Sequence, residues 1–178
     1  MESNLLMPQA SAIFQVRLGE LIGSLELEFT GIKQQFNSHN LLYSTGTLMA
    51  IYERIDAAVL DMGKTATESA ILAYKAGSHR FTEKLESDLL DAFESNFSLG
   101  YTKLSALRTG SAQAILDGLS NKKMHENDNI LGEASRAKIE GQIALRQYFQ
   151  EVRQSQKSLY SYFYDIARLT LPFLFKGH

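Results

Sequence analysis

Pro8 and Pro172 are the only prolines in this chain, and everything between them is proline-free. Proline removes a backbone donor and clashes with the preceding helical turn, so its absence leaves most of the 178 residues free to be helical. Helical spacing of apolar residues fills that freedom. Phe14, Leu18, Leu21, Leu25, Phe29, Ile32 and Phe36 recur at intervals of three and four, the signature of one helical stripe. A second stripe runs through Leu48, Tyr52, Ile55, Val59, Met62, Ala66 and Ala73, with Ser44 or Thr45 as its N-cap. A third runs through Leu85, Leu89, Phe93, Phe97, Leu104, Leu107, Ala114 and Ile115.

The fourth pattern is the longest: Leu131, Ala134, Lys138, Gly141, Leu145, Tyr148, Val152, Ser155, Leu159, Tyr162, Ile166 and Leu169. Its alternation of threes and fours is the seam of a left-handed bundle, with Lys138 and Ser155 as polar residues that set register. Pro172 disfavours helix at Leu171 and is expected to stop it there. The punctuation between stripes agrees. Asn37–Asn40 reads NSHN, a turn composition. Gly77 offers a left-handed stop and Ser78 a new cap. Ser120–Asn129 is the most polar stretch and the one real loop.

These patterns predict helices over about residues 8–36, 45–76, 79–119 and 130–171 in a single domain spanning 1–178. At 1.5 Å per residue each would be about 45 to 60 Å long. The expected fold class is all-α, an elongated antiparallel up-and-down four-helix bundle with long helices. Gly63, Ala66, Ala70 and Ala73 predict close helix approach in the second half of helix 2. Gly19 and Gly23 predict the same for helix 1.

Charge and residue usage exclude several functions. A net charge of −2 gives no broad phosphate-neutralising surface, so no nucleic-acid partner is expected. Without cysteine there are no disulfides, thiolate ligands or cysteine nucleophiles. No run of apolar residues is long enough to span a bilayer, and no signal peptide is read at the N-terminus, which points to the cytoplasm. No glutamate stands three residues before any histidine, so the Glu-x-x-His spacing of a di-iron bundle fails. Nucleophile elbows, P-loops and dinucleotide fingerprints are equally missing. The chain therefore reads as a non-enzyme without cofactor. The metal candidates, His39, His125 and Asp128, are loop residues that a bundle would bring to one end.

The C-terminal stretch carries the positive signal. Eight of the eighteen aromatics follow Gln147, and Tyr160, Tyr162, Phe163 and Tyr164 surround the helix on more sides than one core covers. Tyrosine combines an apolar ring with a polar tip and favours interfaces. The aromatics could be covered from within, by the N-terminal Asn4–Met7 stretch and a tucked tail. The leading expectation is instead an interaction or structural module that self-associates, or docks a protein partner, through Tyr160, Tyr164, Phe173 and Phe175. The alternative is a small-molecule or metal-sensing bundle. A membrane-active helical effector, touching the bilayer peripherally through its tail, is the minority reading.

Overall fold

The computed structural model describes residues 6–77, 81–119 and 129–174, with the side-chain surroundings of 129–131 and 160–174 left aside. Four helices make up the fold: α1 (Leu6–Ser38), α2 (Thr45–Ala76), α3 (Glu83–Gly118) and α4 (Asn129–Leu174). No strand occurs among the described residues. The ends follow from local chemistry. α1 closes with Leu41 N–H donating to the Phe36 carbonyl and Asn40 N–H to Asn37, while Asn40 takes φ 59°. That pair of bonds is the Schellman arrangement, and asparagine is among the few non-glycine residues that tolerate the left-handed region. Ser44 caps α2 by accepting from Thr47 N–H, and Thr82 caps α3 by accepting from Leu85 N–H, each at 3.2 Å.

Three expected boundaries are corrected. α3 starts at Glu83 because Thr82, rather than Ser78, is its cap. Gly77 ends α2 in an extended conformation, φ −96°, so no left-handed stop is used. α4 continues through Pro172 to Leu174. Proline's φ is already helical and its missing donor removes one bond near the helix end, which a terminal turn tolerates.

Successive helices run antiparallel. Arg17 pairs with Glu68 at 2.6 Å and Arg54 with Glu28, tying α1 to α2. Glu94 pairs with Lys138 at 2.5 Å, and Glu86 with Arg153, tying α3 to α4. These exposed or half-exposed pairs orient the helices more than they stabilise them, at roughly 0–1 kcal/mol each. The packing departs from a square bundle: α2 packs along α1, α3 and α4, while α3 and α4 touch only locally and α1 and α4 barely meet. At about 100° per residue, the α2 residues that reach α1 (Arg54 and Glu68) lie far around the helix from Gly63 and Thr67, which meet α4. α1 and α4 thus flank α2 on different sides, with α3 between.

The core is one cluster. Phe14, Leu18, Leu48, Ile51, Ile55, Met62, Leu89, Phe93, Leu104 and Leu145 are wholly enclosed, and each such side chain contributes about 1.5–3 kcal/mol through burial. α2 buries thirteen of its thirty-two residues, including Thr47, Gly63, Thr67 and Ser69. Close approach occurs where α2 meets α4: a Cβ on Gly63 would stand 3.1 Å from the Ala137 carbonyl oxygen, and one on Gly141 2.7 Å from the Phe93 ring. The Thr67 hydroxyl donates to the Gly63 carbonyl at 3.0 Å and sits 3.4 Å from that of Gly141. Gly19 and Gly23, expected to mediate such contact, have nothing within 4 Å of a Cβ. The seam of α4 is corrected too: Ala134, Ala137, Gly141, Leu145 and Phe149 are buried, Lys138 stands at the edge, and Ser155 is exposed.

Candidate interaction surface

Aromatic side chains collect where α2 ends, α3 begins and α4 passes both. Tyr74 meets Phe81 edge-on at 6.1 Å and Tyr148 edge-on at 6.1 Å, and Phe81 meets Phe149 at 5.3 Å. Lys75 lies 5.7 Å from the Tyr148 ring centre and the Arg153 guanidinium 5.4 Å from that of Phe81. Edge-on pairs place a positive ring edge on a negative face, and cations favour the same faces. Burial pushes both the Tyr74 and Tyr148 hydroxyls above the usual phenol range, Tyr148 further under the influence of Tyr74 and Glu151. The collar therefore stays uncharged on its tyrosines across the physiological range.

Past this collar exposure rises over the last α4 residues whose side chains are described. Arg153 already reaches Phe81 and Glu86 at the start of α3, yet the helix runs on to Leu174. From Gln154 that is about 30 Å of further helix at 1.5 Å per residue. Ser155 is exposed, and Leu159, on the stripe that carries Leu145 and Val152, is 55% exposed. Leu159 is thus a large apolar residue at the core-facing register that stands half exposed.

Two clefts flank the earlier part of α4. One, about 290 Å³, lies between α2 and α4 with Leu60, Thr67, Ala137, Gly141 and Ala144 as its apolar or small lining and Lys64, Glu68 and Glu140 at its rim. The other, about 320 Å³, lies between α3 and α4 beside Phe97, Tyr101 and the Glu94–Lys138 pair. Small residues on α4, Ala137, Gly141 and Ala144 at the first and Ala134 and Ser135 at the second, leave this space beside the line of contact. A polar group sits towards the start of α4: the Arg108 guanidinium stacks 4.0 Å over the Tyr52 ring, near Asp56 and Glu133. Burial raises the Asp56 carboxyl above the usual range; Arg108 opposes this, and Glu133 and Glu53 add to it.

Of the residues expected to bind a partner, Tyr160, Tyr164 and Phe173 lie on α4 past the collar, where only the backbone is described. Phe175, and the metal candidates His125 and Asp128, lie outside the described residues. His39 is exposed in the turn between α1 and α2, and no group of three metal-ligating residues occurs among the described ones. Arg146, Gln150 and Lys157 are exposed, while Arg153 is held by Glu86. Tyr74 and Phe81 were not anticipated: they lie on different helix ends, and only the antiparallel fold brings them beside Tyr148 and Phe149. No helix among the described residues is long and apolar enough to cross a membrane. Comparison of the chain with protein-family models, curated proteins and solved structures finds no match.

Proposed function

We propose that this protein is a non-enzymatic helical interaction module that self-associates, or docks a protein partner, through the end of α4. One observation carries the reading: α4 keeps its bundle-facing apolar register past the collar, and Leu159 at that register is left half uncovered. A helix in water draws most of its stability from packing of its apolar face, so a stripe that continues in sequence past the collar, with Leu159 half exposed on it, argues for a covering partner. Tyr160, Tyr164, Phe173 and Phe175 extend the contact around the helix, in keeping with the enrichment of aromatics at interface centres.

The test compares the full chain with one ending at Lys157, by light scattering behind size exclusion and by recovery of bound protein from lysate. The full chain is expected to form an oligomer or retain a partner, and the shortened chain to do neither while keeping the bundle folded. A full chain that stays monomeric and retains nothing overturns the reading. The cleft between α2 and α4 supports a second reading, a small ligand held between helices. A rise in melting temperature with a metabolite, lost on Ala144→Leu, would favour it.

A further inference from the structure

We infer that the cleft between α2 and α4 binds an uncharged, elongated apolar molecule of about ten non-hydrogen atoms, a medium-chain aliphatic alcohol being the simplest member of the class. The inference rests on the ligand reading of that cleft and gives the ligand its chemistry. An apolar cavity of about 150 Å³ holds one benzene ring, and this cleft, at about 290 Å³, has room for about twice that. Successive helices are antiparallel, so α2 and α4 run parallel, with Gly63 level with Ala137 and Thr67 level with Gly141. The lining therefore follows both helices in the same direction, from Leu60 to Glu68 on one side and from Ala137 to Ala144 on the other, about 10–12 Å at 1.5 Å per residue. A linear body lies along that line better than a compact one does.

The polarity of the lining excludes charge. Thr67 is the polar residue of the floor, 6% exposed, and its hydroxyl already donates to the Gly63 carbonyl at 3.0 Å, with that of Gly141 at 3.4 Å. None of the lining residues holds an enclosed side-chain atom without a hydrogen-bond partner. The charged residues at the rim are each engaged within the chain: Lys64 with Asp61 at 3.2 Å, Glu68 with Arg17 at 2.6 Å and Glu140 with Arg136 at 2.8 Å. An ionised group entering here would leave water without meeting a free counter-charge, a costly transfer. A hydrocarbon body instead covers Leu60, the methyl groups of Ala137 and Ala144 and the Gly141 backbone, and releases the water over them.

The cleft between α3 and α4 does not share this chemistry. Its lining includes the Glu94–Lys138 ion pair at 2.5 Å, with Gln142 also donating to Glu94, and the hydroxyls of Ser98, Tyr101 and Ser135. It serves as an internal control.

The test is a titration of the full chain with octanol, followed by the NMR signals of the Leu60, Ala137 and Ala144 methyl groups. One saturable set of shifts is expected at those methyls, with octanoate and octylammonium binding at least about tenfold more weakly. Ala144→Leu, at an exposed position, should fill the cleft, keep the fold and weaken octanol binding at least about tenfold. Ser98→Leu, in the other cleft, should leave octanol binding unchanged. Binding of either charged analogue as tightly as octanol would overturn the uncharged class. Octanol binding that survives Ala144→Leu would overturn the site. If octanol shifts nothing, while a metabolite still raises the melting temperature in a manner lost on Ala144→Leu, the class is overturned and the ligand reading stands. If neither is seen, both fall.

Discussion

At single residues, the cost of a change is set by what surrounds it rather than by residue type. Gly141→Ala would drive a methyl group into Phe93 and Thr67, at 2.7 and 2.9 Å, and is expected to destabilise by about 1–3 kcal/mol in urea unfolding. Gly19→Ala meets nothing and should stabilise by about 0.5–1 kcal/mol through helix propensity. Asn96 is buried with its side-chain amide nitrogen unpaired, which costs about 1–3 kcal/mol. Asn96→Ala should therefore leave stability within about 1 kcal/mol, whereas Phe93→Ala, one turn away, should cost about 3–5 kcal/mol. Asp56 supplies a pH dependence. Its folded-state carboxyl holds a proton to higher pH than the unfolded chain does, so between the ordinary aspartate range and the raised value the native state binds more protons. Stability contributed there falls as pH rises through the folded value. Urea titrations of Asp56→Asn should lack that part of the slope.

At the scale of elements, the spacing of apolar residues was enough to place all four helices, most boundaries within a few residues. Its errors have physical causes. Searching for a single stripe picks one face, and so passes over Thr67 and Ser69, buried on α2 and too polar to read as core. For the same reason the central place of α2 was not legible. Gly19 and Gly23 share the spacing of a close-approach motif, but which glycines meet a neighbour depends on the rotation of the helix; Gly63 does so as its small neighbours suggest, and Gly100 and Gly141 do so as well. On α4 the sequence placed Ala134, Gly141 and Leu145 on the seam but missed Ala137 and Phe149, which are buried beside it, because a strict alternation of threes and fours admits only one residue per turn. Leu145→Ala, inside the bundle, should cost about 2–5 kcal/mol in thermal or urea unfolding. Leu159→Ala at low protein concentration should change stability by less than about 0.5 kcal/mol.

For the whole molecule, association and folding are coupled by mass action. If α4 pairs between copies, the melting temperature of the full chain rises with protein concentration, while that of a chain ending at Lys157 stays constant. Calorimetry over a hundredfold dilution separates the two. The density of aromatics after Gln147 drew attention to this end of α4, and of these Tyr148 and Phe149 are the ones whose surroundings the structure describes. The collar itself was not legible, because Tyr74 and Phe81 become neighbours of Tyr148 and Phe149 only once the helices reverse direction.

The placement of α1 and α4 on different sides of α2 bears on the order in which the chain can mature. α1, α2 and α3 are joined by short connections and bring Phe14 and Met62 together against Gly100. They form a unit of mostly local contacts, the kind that assembles fastest. During synthesis that unit would be complete in sequence before α4 has left the ribosome, and α4 would then settle onto a surface already formed. The end of α4, proposed to meet a partner, follows that unit in the chain, so the packing of α1, α2 and α3 can be complete before the adhesive stretch is offered to a neighbour.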